Sequence, residues 1–307
     1  MSADFRFLMI SAMYENGGNT TQRLLDGHPQ MLVYPFESQL GTTLVVDALS
    51  SVFPIKYRWP VFALDASPQD DYHAIIDEEA KVRARTPDVS KFRHVEFQMS
   101  DDERRDIYVR IVGDAGRSRA NNVAAFFRAT FEAWKNFNRT REQSLYVGYS
   151  PIITVDAARI LDEVPGAHVL SVVRNPWSAY ADTKRRPVPL SMQHYMLGWT
   201  LHQQHALRLR EAYPSRFHVL RFEDLVQDPR KTLRELGRKV GYGDSESLAI
   251  PSWNGAPLNE VYPWGTIRKA TPEANRETAL TLSEHERAQV RAHADLYLDL
   301  LDYKQFL

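Results

Sequence analysis

The chain has 307 residues, with 38 Lys and Arg against 39 Asp and Glu, and no cysteine. That length suits one α/β domain with insertions, or two smaller domains. Balanced charge argues against a dedicated nucleic-acid binder, which needs a basic excess to displace phosphate counterions, and the missing cysteines exclude disulfides and thiolate metal sites.

Asp4 and Arg6 flank a short apolar run at the N-terminus, so no signal peptide or membrane span is expected, and a soluble cytoplasmic protein is the reading. The run from Phe5 to Ala12 reads as a strand, followed by a glycine-bearing loop, Met13 to Gly18. Asn19, Thr20 and Thr21 then open a short amphipathic helix carrying Leu24 and Leu25. Such a junction aims unpaired N–H groups and the positive end of a helix at one point, which suits a phosphate or sulfate. Gly17 and Gly18 allow close approach of an anion and φ > 0 without strain. The GxxxxGK[ST] pattern is absent, which argues against a magnesium-nucleotide kinase or ATPase. A second apolar run, Met31 to Phe36, delivers Glu37 from a strand end.

Residues 38–53 read as a helix over the same pocket, with Gly41-Thr42-Thr43 inside its apolar pattern. Pro54, Pro60 and Pro68 alternate with Tyr57, Trp59 and Phe62 in an irregular segment, either a lid over an acceptor or plain packing. Residues 71–116 are charged, with a helix expected over Tyr72 to Ala84. A long helix is expected from Arg117 to Phe137, its aromatic stripe forming core or walling a cleft.

Leu145 to Tyr149 reads as a strand, and Ser150-Pro151 as the capped start of a helix that Pro165-Gly166 ends. Ala167 to Val173 is continuously apolar, as a buried parallel strand should be, and ends at Arg174-Asn175-Pro176. Arg174 therefore sits at the C-terminal edge of a central strand, where open α/β sheets place ligands. The helix after Asn175 leads to Lys184, Arg185 and Arg186. Ser191 to Ala212 is a further helix, on which the spacing of His202 and His205 comes without a matching carboxylate pattern, so no metal site is expected. Phe217 to Phe222 reads as a strand, Asp228-Pro229 to Gly241 as a capped helix, residues 250–275 as irregular, and Ser283 with Glu286 as the capping box of a terminal helix. The alternation implies an α/β fold, a central parallel sheet flanked by helices.

Three blocks coincide with one family. Leu24-Leu25-Asp26-Gly27-His28-Pro29-Gln30, Val172-Val173-Arg174-Asn175-Pro176, and Arg221-Phe222-Glu223-Asp224-Leu225 with Asp228-Pro229 resemble the sulfotransferases that use 3′-phosphoadenosine 5′-phosphosulfate, especially the branch acting on glycans and tyrosines. Residues 271–287 resemble the family's C-terminal part more weakly, and residues 44–143 match no part of it. The resemblance implies a P-loop NTPase-like sulfotransferase fold over 1–307, a single domain with a helical and aromatic insertion at about 54–140. It implies metal-independent sulfuryl transfer to an acceptor hydroxyl of a small molecule or glycan: carbohydrate, phenol or lipid-like. Asn16, Gly17, Gly18, Asn19, Thr20 and Thr21 would hold the 5′-phosphosulfate, Arg174 and the position of Asp182 the 3′-phosphate, and Glu37 would be the general base.

The departures concern charge. Aligned on Leu24-Leu25-Asp26, the family's loop arginine falls on Glu15, its lysine before Ser-Pro on Tyr149, and its 3′-phosphate serine on Asp182. A carboxylate within about 5 Å of a phosphosulfate costs on the order of 1–3 kcal/mol unless a cation is shared. Arg23, Lys184, Arg185, Arg186, Arg268 and Lys269 are the available replacement cations, the last two otherwise a solvated pair. A register placing Thr20-Thr21 at the family's threonine pair is favoured. A non-catalytic nucleotide-binding member and another nucleotide-dependent transferase stay open, as do acceptor and oligomeric state.

Overall fold

The computed structural model describes residues 4–38, 40, 47, 49, 58–75, 78–90, 93–187, 189–258 and 271–307. The helix expected over 38–53 lies almost wholly outside the described residues, as do Tyr57, Arg268 and Lys269.

Five parallel strands form the centre: β1 (Arg6–Ala12), β2 (Met31–Val33), β3 (Leu145–Tyr149), β4 (Ala167–Val173) and β5 (Phe217–Arg221), in the order β2-β3-β1-β4-β5. Helix α1 (Gly18–Leu25) follows β1. Between β2 and β3 come α2 (Pro68–Ala74), α3 (Glu78–Arg85), α4 (Asp101–Ala115) and α5 (Arg119–Ala133). Then come α6 (Ala157–Glu163) before β4, and α7 (Pro176–Thr183) and α8 (Met192–Ala212) before β5. The chain ends through α9 (Phe222–Gln227), α10 (Pro229–Val240), a hairpin of β6 (Ser252–Trp253) and β7 (Ala256–Pro257), α11 (Pro272–Leu280) and α12 (Glu284–Leu300). Among the described residues, no helix is long and apolar enough to cross a membrane.

The apolar run of β1 is explained by burial on both sides. Phe7 and Met9 join the aromatic layer of α5, while Leu8 and Ile10 join Leu24, Leu25 and Leu170 on the other face. Phe127 is central to the first layer, its ring centroid 4.9 Å from that of Phe7 and 5.5 Å from that of Tyr34. The stripe of α5 is therefore core rather than a cleft wall, and Trp59 and Phe62 are buried with it.

Two local expectations change. After β3, the left-handed turn at Ile152 (φ 62) and a 3-10 turn over Ile153–Asp156 delay the helix until Ala157. Helix α4 was not expected from its charged sequence. Its inner face includes Arg104, fully buried, which donates to Asp101 Oδ1 at 2.9 Å and to Tyr72 Oη at 2.8 Å and lies over the Phe126 ring. A buried charge of this kind is tolerated because it is paired and hydrogen-bonded.

His202 on α8 is fully buried and lies 3.2 Å from Ser11 Oγ of β1, which also accepts the Thr154 N–H at 2.9 Å. Burial, reinforced by nearby His205, lowers the His202 pKa to about 3. The folded protein thus binds fewer protons than the unfolded chain below about pH 6.5, and the stability present above that pH is lost as pH falls. Urea titrations at about pH 7 and about pH 4.5 should differ by on the order of 2–3 kcal/mol from this group alone, and His202→Asn should remove that part of the difference.

Candidate functional site

The tips of β1 and β4, neighbours in the sheet, face the same edge. The loop after β1 turns at Asn16, whose N–H donates to Met13 O at 3.0 Å, and passes through positive φ at Glu15 (60°) and Gly17 (90°). Asn16 is fully buried. Its Nδ2 donates to Tyr14 O at 2.8 Å and to Tyr195 Oη at 3.0 Å, and its Oδ1 accepts the Arg174 N–H at 2.9 Å. One amide side chain therefore joins the loop to the end of β4 and to α8.

Arg174 tightens the same junction. Its Nη1 donates to Glu15 O at 2.9 Å and to Asp182 Oδ2 at 2.8 Å, and its Nε donates to Asn275 Oδ1 at 2.7 Å. The guanidinium lies over the Phe222 ring, with Cζ 5.2 Å from the centroid. Behind it Asn175 caps α7, accepting the Ser178 N–H at 2.8 Å, with Pro176 at the first helical position. Glu223 gathers the rest: Oε1 accepts from Asn175 N and Nδ2 and from Asn275 Nδ2, and Oε2 accepts the Tyr303 hydroxyl at 2.5 Å. The motif Arg221-Phe222-Glu223-Asp224-Leu225 thus supplies the hub of a buried polar network as well as a strand-to-helix switch. Sequence reasoning missed the roles of Glu223, Asn275, Tyr195 and Tyr303, whose partners lie 48 to 179 positions away.

Glu37 comes to the first turn of α1. Gln22 Nε2 donates to Tyr34 O at 2.8 Å and Phe36 O at 2.7 Å, and Arg23 Nη2 reaches Tyr34 O and Pro35 O at 3.3 Å each. Ser38 then docks on β3, its N–H donating to Tyr149 O at 2.6 Å while its Oγ accepts the Tyr149 N–H at 2.8 Å. Held on both sides, Glu37 accepts from Asn19 Nδ2 at 3.4 Å through Oε1.

The loop candidates divide by depth. Thr21 is buried and donates its hydroxyl to Gly17 O at 3.0 Å, so like Asn16 it braces the loop from inside. Asn19 is exposed and Thr20 half-buried. Both glycines are required by packing: a Cβ on Gly17 would come within 2.1 Å of the Phe222 ring, and one on Gly18 within 2.3 Å of the Tyr149 ring. Tyr149 thus lies against the helix start. Burial, then Glu37 and Glu15, hold its hydroxyl protonated well above its usual range.

Charge at the mouth is mixed. Partial desolvation by the surrounding loop raises the Glu15 carboxyl above its ordinary range although its side chain is 38% exposed, with Arg186 and Arg174 opposing and Asp182 and Glu37 adding. Arg186 Nε lies 3.8 Å from Glu15 Oε1, and its guanidinium covers the Tyr14 ring at 5.1 Å. Arg185 pairs with Asp182 at 3.1 Å, and Lys184 with Glu286 at 2.5 Å. Arg23, under the 34–35 backbone and 5.1 Å from the Trp253 ring centroid, positions that backbone through Nη2, while its buried Nη1 has no hydrogen-bond partner among the described residues. Among the described residues, no three His, Asp or Glu side chains gather as a metal site.

No curated protein matches the chain. Among solved structures, the sulfotransferase domain from the curacin biosynthetic pathway superposes with a TM-score of 0.54 at 14% identity, covering 95% of this chain and 98% of that one. The sulfotransferase domain of the Synechococcus PCC 7002 olefin synthase gives 0.47 at 17% identity over 93% of each chain. Sulfotransferase STF9 from Mycobacterium avium gives 0.46 at 16% identity over 98% of this chain and 78% of that one. The first of these shows the shared P-loop-like fold. The sulfotransferase family model matches residues 17–246, from the start of α1 past α10, and the chain belongs to the sulfotransferase family.

Proposed function

We propose that the protein moves a sulfuryl group from 3′-phosphoadenosine 5′-phosphosulfate to an acceptor hydroxyl. The observation that carries this reading is the junction of the two strand tips through Asn16, which sets the helix start and Arg174 side by side. The N–H groups of Gly17 to Thr20 have no carbonyl one turn back and are left to hold the 5′-phosphosulfate. Arg174 takes the 3′-phosphate by exchanging its bond to Asp182 for one to the ligand. Glu37 accepts the acceptor's proton as the acceptor oxygen bonds to sulfur. The bond from sulfur to the phosphate oxygen breaks, and adenosine 3′,5′-bisphosphate leaves. Positioning and electrostatics dominate such transfers, and no metal is needed for this step. The acceptor is a small molecule or glycan hydroxyl, nucleic acid is not a partner, and residues 1–307 act as one cytoplasmic domain with residues 54–140 inserted.

A second reading, a nucleotide-binding member without catalysis, is favoured by one observation. Arg174 is already paired with Asp182, and, in the alignment on Leu24-Leu25-Asp26, Glu15 stands where the resembling family keeps a cation.

Glu37→Gln should lower the rate of sulfuryl transfer by about 10²–10⁴-fold while the dissociation constant for adenosine 3′,5′-bisphosphate stays within about twofold. Rate assays with calorimetry on one preparation check this, and undiminished turnover removes Glu37 from the mechanism. Asp182→Ser frees Arg174 and restores the family's residue. Adenosine 3′,5′-bisphosphate should then bind about tenfold tighter by calorimetry, since a charged hydrogen bond no longer has to be broken. An unchanged affinity would mean that Arg174 is a structural residue.

A further inference from the structure

The loop's missing cation has a replacement on another element. We propose that Arg186, at the turn after α7, is the anion-binding residue for the 5′-phosphosulfate, shared between Glu15 and the donor. This rests on the sulfuryl-transfer reading above and deepens it, since it assigns a residue to one end of the donor.

Each of the other described cations beside the loop is committed at hydrogen-bond distance. Arg174 holds Glu15 O, Asp182 and Asn275, Arg185 holds Asp182, Lys184 holds Glu286, and Arg23 holds the backbone before Glu37. Arg186 is placed differently. Its Nε lies 3.8 Å from Glu15 Oε1, close enough for attraction but beyond hydrogen-bond reach. Its guanidinium carbon lies over the Tyr14 ring, one residue from Glu15, and its side chain is 40% exposed. It also acts electrostatically on Tyr14, Glu15 and Tyr149, the residues that line the loop and the start of α1.

Chemistry explains the arrangement. A carboxylate in the loop repels a phosphosulfate, whereas a guanidinium between the two anions attracts both, because its planar fork offers five donors along different edges. The cation–π contact with Tyr14 holds the group in place without using those donors. The loop thus carries its positive charge indirectly, from the turn after α7 through Glu15.

Calorimetry on the full chain tests this with two ligands that differ only at the 5′ end. Arg186→Gln should weaken adenosine 3′,5′-bisphosphate by about tenfold or more, and adenosine 3′-monophosphate by less than about twofold. Arg186→Lys should recover part of the loss, and Lys184→Gln should leave both affinities unchanged. A binding wild type with no loss in Arg186→Gln, or with equal loss for both ligands, overturns the assignment and leaves the sulfuryl-transfer reading standing. A wild type that binds neither ligand overturns both.

Discussion

The site depends on one buried contact, the Arg174 N–H on the Asn16 side-chain oxygen. Two parallel strand tips end with unsatisfied backbone groups, and nothing in the sheet itself fixes the loop of one against the end of the next. Asn16 does so because its amide accepts from β4 while donating to Tyr14 O and Tyr195 Oη. Its polar atoms are paired in a dry environment, where an orphaned group would cost on the order of 1–3 kcal/mol. The loop is therefore held in one conformation before any ligand arrives, and that conformation aims the start of α1 at the sheet edge.

Arg174 shows how fold and site share one residue. It is buried, and its contacts with Asn275 and Glu15 O tie α11 and the loop to β4. Removing it would leave Asn275 Oδ1 without its donor and Asp182 with Arg185 alone, so its structural role would be felt with or without a donor. Asp182 satisfies the charge that burial would otherwise penalise. In the proposed reaction a phosphate replaces Asp182 in that role, so the resting ion pair sets both the stability of the empty edge and the threshold a ligand must exceed.

Much of this was legible in sequence because it is local. Continuous apolar runs at Phe5–Ala12 and Ala167–Val173 mark buried parallel strands, and Asn175-Pro176, Asp228-Pro229 and Ser283-Glu286 cap helices as their chemistry demands. Helix α4 was not legible, because its inner face carries Arg104 and Asp101, which satisfy each other only once folded. A local sign existed in Ser100, whose side chain accepts the Glu103 N–H. Gly17 and Gly18 read as clearance for an anion, but the rings of Phe222, at the start of α9, and of Tyr149, at the end of β3, take that space. In sequence, Asn16 and Thr21 read as ligand contacts because residue type shows hydrogen-bonding capacity but not the direction in which it is used.

The acidic departures from the family pattern become one system when placed in space. Glu15, Asp182 and Glu37 all lie around the start of α1, and the first two face arginines from the same segment, residues 174 to 186. Helix α7 begins beside Arg174 with its first turn capped by Asn175, and the turn that follows it sets Arg185 against Asp182 and Arg186 near Glu15. The carboxylate at loop position 15 is thus matched by a cation from the turn after α7, and the one at 182 by that turn and by Arg174. The positive charge absent from the loop in the sequence stands, in the folded protein, beside Glu15 on the turn that follows α7.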